Sequence, residues 1–283
     1  MQIALVQVPY HLGHEDVGMG TGPLRLERDL VAALGASGHD VEVVRVRRKD
    51  GETNEIGASF EVVRRVAEAV AEAVERGAFP LVVSGNCMSS IGVVAGSGRD
   101  LGVVWLDAHA DFNTPESSLS GFQDGMGLSI LTGTGWRALR ETIPGYRSVA
   151  EENVVLVGVR DVDQLEQERL DRSAVTVIAP REGVEPALDE LAGRVEGVYL
   201  HVDLDVLDPS EGRANEYAAS GGLAAADVER VVAAVGERAP IRGAAVTAYD
   251  PAADPEGSIP AIAAAIVTRI AAAAKAGVGM VQG

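Results

Sequence analysis

Three apolar runs in this 283-residue chain end in side chains able to do chemistry. Val103-Val104-Trp105-Leu106 leads into Asp107-Ala108-His109-Ala110-Asp111, and Val198-Tyr199-Leu200 into His201-Val202-Asp203-Leu204-Asp205. Leu81-Val82-Val83 ends in Ser84-Gly85-Asn86-Cys87. The alternate spacing of Asp107, His109 and Asp111 turns them to one side of an extended chain, and Asp203 and Asp205 repeat the pattern. Four carboxylates and an imidazole at the tips of apolar strands repel one another and lose hydration unless a cation compensates. A carboxylate-rich set with one imidazole suits Mn²⁺ better than Mg²⁺, Fe²⁺, Zn²⁺ or Ni²⁺. So many carboxylates imply two ions, ~3.5–4 Å apart, activating a water between them. Read singly, either motif is also a set of helix caps and turn formers. Their occurrence together favours the metal.

The elements that must position these residues read as alternating strands and helices. Residues 3–8, 41–46, 81–83, 103–106, 154–159, 175–178, 198–204 and 244–248 are short apolar runs, several β-branched on both faces, as strands covered on two sides require. Val63, Val66, Ala67, Val70, Ala73 and Val74 recur at helical spacing over 61–75. Pro23, after Gly20 and Gly22, suits the first turn of another helix. The Ala-rich stretch 261–274 carries Arg269 and reads as a packed helix. The pattern predicts an α/β fold with a mainly parallel sheet and helices on both faces, as one domain over 1–283. Ligands of such sheets bind outside the carboxyl ends of the strands, where the informative residues fall.

Composition narrows the partners. Lys plus Arg is 24 and Asp plus Glu 42, a net charge of −18. Nucleic acid binding needs the opposite surplus, and an anionic membrane surface is disfavoured for the same reason. Cys87 is the only cysteine, so no intrachain disulfide forms and a reducing compartment is expected. The first residues lack the basic and long apolar regions of a signal peptide, and no run approaches the ~20 apolar residues of a membrane span. A cytoplasmic globular protein is the expectation.

The chain resembles the ureohydrolases (arginase, agmatinase, formimidoylglutamase and relatives). Asp107-Ala108-His109-Ala110-Asp111 resembles that family's DAHxD signature, and Asp203-Leu204-Asp205-Val206-Leu207-Asp208-Pro209 its DxDxxDP signature. Gly85-Asn86-Cys87 stands at the Gly-Gly-Asp-His box. Asn113-Thr114-Pro115 and Ser120-Gly121 resemble the arginase substrate loop, and Arg160-Asp161-Val162-Asp163 a further arginase segment. The resemblance implies a three-layer α/β/α sandwich, two Mn²⁺ ions, and hydrolysis of a guanidine or amidine C–N bond. It implies that Asp107 and Asp203 bridge the ions, that Cys87 and Asp111 complete one shell, and that His109 and Asp205 complete the other. Asn113 and Ser120 would hold a substrate carboxylate, and Asp163 with Glu166 would meet an α-amino group. A trimer or hexamer is also implied.

The residues themselves support these roles unevenly. Asn113 and Ser120 are neutral donors suited to a carboxylate, although Asn113-Thr114-Pro115 is also an ordinary turn. Asp163-Gln164-Leu165-Glu166 fits a capping box at a helix start. His201 reads as a satisfied core histidine, with a hydrogen bond to a ligating carboxylate as the alternative.

Four positions depart from the family pattern. Cys87 replaces a metal-binding His. It is either a thiolate ligand, an inert buried thiol, or the sign of a degenerate site; the intact remaining ligands favour the first. Some relatives acting on hydroxylated guanidines resemble this variant. Asp124 falls near the arginase proton-transfer His, and a buried carboxylate can do that work, as can Asp111. Phe122 replaces an Asn of the carboxylate clamp. Ala248 stands where the family has a Glu for the guanidinium, with Tyr249, Asp250 or Glu256 as neighbouring substitutes. The expected activity is that of a binuclear hydrolase releasing urea or a urea-like product from an arginine-related or less basic derivative, with an N-hydroxyguanidine or formimino substrate as the enzymatic alternative. A metal-poor small-molecule binder is the non-enzyme alternative.

Overall fold

The computed structural model describes residues 1–49, 51, 54–180 and 182–280. Eight strands form its main sheet: β1 (Gln2–Val8), β2 (Asp40–Arg45), β3 (Phe79–Ser84), β4 (Gly102–Leu106), β5 (Val154–Val157), β6 (Thr176–Ile178), β7 (Val198–Asp203) and β8 (Ile241–Thr247). Their order is β2-β1-β3-β8-β7-β4-β5-β6, and all neighbouring pairs run parallel. All eight predicted strands are present, shifted by a residue or more at their ends. β5 stops at Val157 because Gly158 turns at φ +95°, and β8 stops at Thr247 because Ala248 takes φ +62°.

Successive residues of each strand serve opposite cores. Ile3, Leu5, Leu81, Val104, Leu200 and Val246 join one apolar cluster with α1 (Gly22–Ala36), α7 (Glu185–Ala192), α8 (Ala225–Arg238) and α9 (Ile259–Met280). Ala4, Val6, Val82, Trp105, Leu156 and Tyr199 join the other with α2 (Glu55–Glu75), α3 (Ser89–Gly96) and α4 (Gly127–Leu131). Short α5 (Arg137–Arg140) and α6 (Gln164–Leu170) complete the helices used below. The expected three-layer α/β/α sandwich is the architecture found.

The predicted helix over 61–75 begins earlier, at Glu55, where the Asn54 side chain accepts a hydrogen bond from Gly57 N at 2.7 Å. Pro23 stands in the first turn of α1, as its position predicts. α9 has the length and apolarity of a membrane-crossing helix, yet Ile259, Ala263, Ile266, Val267, Ile270 and Ala271 are buried in the core.

The strand order sets the site. β3, β8, β7 and β4 are adjacent, so the segments that follow them (Cys87, Ala248, Asp203 and Asp107) emerge side by side. Thr247 is in register with both Ser84 and Asp203, and Leu106 with Val202.

Candidate active site

The Cys87 turn is held from two sides. A β-carbon on Gly85 would overlap the Tyr10 carbonyl oxygen, so only glycine lets β3 pass that close to the hairpin Tyr10–His11/His14–Glu15. Asn86 Oδ1 accepts from Leu12 N at 2.7 Å, and its Nδ2 donates to Asp124 Oδ2 at 2.6 Å. Asp124 Oδ1 accepts from Met88 N at 2.9 Å. Cys87 is thereby fixed in the interior, with Sγ 2.9 Å from Asp203 Oδ2.

The two Asp motifs interlock across β4 and β7. Asp107 Oδ2 accepts from Trp105 Nε1 at 3.0 Å, and Oδ1 from His109 N at 2.7 Å. Asp205 Oδ1 accepts from Ala108 N at 3.2 Å, and Asp203 Oδ1 from Asp205 N at 2.7 Å. His109 Nδ1 lies 3.4 Å from both Asp107 and Asp205. Asp111 adopts φ +49°, an uncommon conformation for a residue with a β-carbon, and its carbonyl accepts from Leu128 and Ser129 at the start of α4. Its buried Oδ2 has no hydrogen-bond partner among the described residues.

Cys87, Asp107, His109, Asp111, Asp203 and Asp205 line a cavity of about 240 Å³, together with Asn113, Phe122, Asp124, Asp163, Glu166, Asn215, Tyr217 and Ala248. A larger cleft of about 540 Å³ lies at the amino ends of the strands, around Arg99, Arg147, Arg194 and Arg242. It has no histidine, cysteine or buried carboxylate, so the smaller cavity is the chemical one.

Charge in the cavity is out of balance. Burial first, then neighbouring carboxylates, pushes Asp111 and Asp203 far above the ordinary range, and Asp107 up to about 6. Burial and the same acids push the Cys87 thiol up. Burial opposes a charged imidazole at His109, but Asp107 and Asp205 outweigh it and raise the group to about 12. Burial likewise works against Asp205, which its bond to His109 nonetheless holds low. One imidazolium cannot neutralise four buried carboxylates. Two groups of side chains each bring their ligand atoms within 4.8 Å of one another: Cys87, Asp107, His201 and Asp203 form one, and Asp107, His109 and Asp205 the other. With the orphaned oxygen of Asp111, they fit divalent cations. Asp107 belongs to both sets, whereas Asp203 sits with Cys87.

The other predicted residues divide. Asp163 caps α6 by accepting from Glu166 N at 3.0 Å, and its Oδ2 accepts from Asn113 Nδ2 at 3.2 Å. Glu166 does not close the capping box; its Oε1 accepts from Phe112 N at 2.7 Å. Ser120 is exposed, bonds Phe122 N within its own loop, and lies outside the cavity lining. Tyr249 donates to Asp254 Oδ2 and Asp250 accepts from Ala252 N; neither they nor Glu256 line the cavity. Asn215 was not foreseen: buried beside Ala248, its Nδ2 donates to Asp205 Oδ2 at 3.2 Å and to the Ala248 carbonyl at 2.9 Å. Tyr217 was not foreseen either, and its ring meets Phe122 at 5.5 Å. Neither residue belongs to a spaced motif that would mark it in the sequence.

A parallel sheet covered on both faces, with an acid-and-imidazole cluster at its carboxyl edge, defines an α/β protein whose site fits divalent cations. Residues 1–273 match the arginase family. The arginase of Bacillus caldovelox is 31% identical over 288 residues, covering 94% of this chain and 96% of that protein. The arginase of Brevibacillus brevis is 35% identical over 230 residues, 74% of this chain and 77% of that one. The crystal structure of arginase from Bacillus subtilis superposes with a TM-score of 0.87 at 28% identity, over 95% and 98% of the two chains. The chain belongs to the arginase family of hydrolases, the ureohydrolases.

Proposed function

We propose that the protein is a binuclear metal hydrolase that cleaves a guanidine or amidine C–N bond and releases an amine with urea or a urea-like product. The observation that carries this reading is the convergence of Cys87, Asp107, His109, Asp111, Asp203 and Asp205 on one strand-end cavity, with Asp111 Oδ2 unpartnered. Cys87, Asp107, Asp111 and Asp203 would hold one cation, and Asp107, His109 and Asp205 the other, with Mn²⁺ expected at the carboxylate-rich position. Such ions lower the pKa of bound water and polarise the substrate.

The chain's own groups do the rest. Asp111, whose Oδ2 is unpartnered among the described residues and faces the cavity, is the carboxylate placed to carry a proton to the leaving nitrogen. Asp124 lines the cavity while tied to Asn86 and Met88, so it positions the Cys87 turn and stands as the second group placed for proton transfer. Asn113 offers an amide to a substrate carboxylate, and Asp163 and Glu166 face an α-amino group. Ser120 would reach the substrate only if its loop moved inward.

Substrate choice follows from Ala248. The polar group beside it is the neutral amide of Asn215, so a guanidinium finds no carboxylate there beyond those of the metal cluster. The lost charge-assisted bond is worth ~1.5–3 kcal/mol, roughly ten- to a hundred-fold. A neutral or weakly basic head loses least, so an N-hydroxyguanidine or formimino compound is the preferred class. Metal analysis by mass spectrometry, with product release measured across arginine and those two classes, tests the reading. A protein free of metal and inert on the whole panel would be a binder instead. The reading also places the protein in the cytoplasm as a trimer or hexamer, which sedimentation checks.

A further inference from the structure

A second buried polar system lies under the cluster, and the reading above leaves it unused. Tyr199 and His201 share the face of β7 that carries Asp203, and all three are buried. Trp105 is the register partner of His201 on β4, and its ring stacks on the imidazole at 3.7 Å and 20°. The imidazole plane is thereby fixed.

The hydrogen positions follow from counting. Tyr199 O–H donates to Ser90 Oγ at 2.6 Å. Ser90 Oγ lies 2.9 Å from His201 Nδ1. Ser90 already accepts the tyrosine hydrogen, so its own hydrogen goes to Nδ1. The opposite tautomer would leave a buried hydroxyl hydrogen unmatched, at the desolvation cost of such a group. His201 therefore carries its hydrogen on Nε2. That atom faces Thr247 Oγ1 at 3.4 Å. Thr247 Oγ1 lies 3.3 Å from Cys87 Sγ and 3.4 Å from Asp203 Oδ2. Having accepted from Nε2, the threonine has one hydrogen left, with Asp203 Oδ2 and Cys87 Sγ both in reach of it.

A ring nitrogen that bears a hydrogen is not a metal ligand. His201 therefore acts as a donor, although it lies among atoms that could bind an ion. We propose that Tyr199, Ser90, His201 and Thr247 form a hydrogen-bond chain that reaches Cys87 Sγ and orients that sulfur as a ligand of a cation. The inference rests on the reading that Cys87 binds one of the two ions. A thiolate beside Asp107, Asp111 and Asp203 adds negative charge to a crowded site. Neutral donors relieve it without introducing a cation that would compete with the metal. These four are positioning residues; only the end of the chain touches a ligand.

Cobalt(II) is the probe, because a thiolate ligand gives it a sulfur-to-metal charge-transfer band. Thr247→Val keeps the shape and removes the last donor. The inner ion should then bind ten- to a hundred-fold more weakly, the loss typical of outer partners of metal ligands. The charge-transfer band should move to lower energy, because an unbonded thiolate holds its electrons less tightly. Thr247→Ser should restore both. A Thr247→Val protein with the wild-type band and affinity overturns the inference, as does a Thr247→Ser protein no better than Thr247→Val, which would show a packing effect. Should Thr247→Val not fold, Ser90→Ala tests the chain further from the sulfur, and an unchanged band in it overturns the inference. Wild-type protein that binds cobalt without a sulfur band also defeats it, while metal-dependent product release would keep the proposed function standing.

Discussion

Glu166→Gln tests the charge balance of the cavity without touching the metal cluster. The Glu166 carboxylate is buried, accepts from Phe112 N at 2.7 Å, and feels Asp163 and Asp107. Burial first, and then those acids, pushes it up to about 7 from an ordinary 4.5. Between those two values the folded chain holds the proton more tightly than the unfolded chain does. Stability from this group is therefore complete below 4.5 and is lost as pH rises through about 7. At about 1.36 kcal/mol per tenfold change in proton affinity, the loss by pH 8 is on the order of 3 kcal/mol. Glutamine keeps the shape and the carbonyl acceptor for Phe112 N, and cannot ionise. The variant should match the wild type at pH 4.5 and exceed it at pH 8 by about 3 kcal/mol, or about 6 °C in Tm for a chain of this size. Urea unfolding in chelator across that range measures the difference. Parallel stability curves would refute the argument and show that water relieves the Glu166 charge.

Two further substitutions probe the site. Asp107 belongs to both candidate ligand sets, so Asp107→Ala should empty both positions, with affinity falling by more than the ten- to a hundred-fold typical of outer partners; metal analysis that finds one ion still bound would show the positions to be independent. Ala248→Glu should raise kcat/KM for arginine roughly ten- to a hundred-fold by returning a carboxylate to the guanidinium, and steady-state kinetics showing efficient arginine turnover before the substitution would defeat the substrate argument.

The eight strands were legible because each is a short apolar run, and such runs are local. Their ends were less so. Gly158 and Ala248 leave the sheet by taking positive φ; the glycine is a local mark of its turn, whereas nothing in residues 244–248 marks where that strand ends. Asp163 is the cap its Asp-x-x-Glu spacing predicts, yet Glu166 turns to Phe112 N instead of completing the box, because burial under the loop gives it a better-placed donor. Ser120 followed the family pattern in sequence and still lies in an exposed loop outside the cavity, since its hydroxyl is taken up by Phe122 N.

The chemistry of the cluster belongs to the sequence. Alternate spacing at the end of an apolar run turns Asp107, His109 and Asp111 together, and Asp203 with Asp205, because a strand repeats every two residues. Which motifs meet is a property of the tertiary structure. Cys87 and Asp203 touch only because β8 inserts between β3 and β7 and the parallel register brings Ser84, Thr247 and Asp203 level. The roles of Asn215 and Thr247 are likewise invisible along the chain, and so are the partners that satisfy the buried His201. Each is a single polar residue in an apolar or irregular stretch, and its partner lies far away in sequence: Asn215 meets Ala248, His201 meets Ser90, and Thr247 meets Cys87. Local spacing encodes which way a side chain faces, whereas the packing of distant strands decides what it faces.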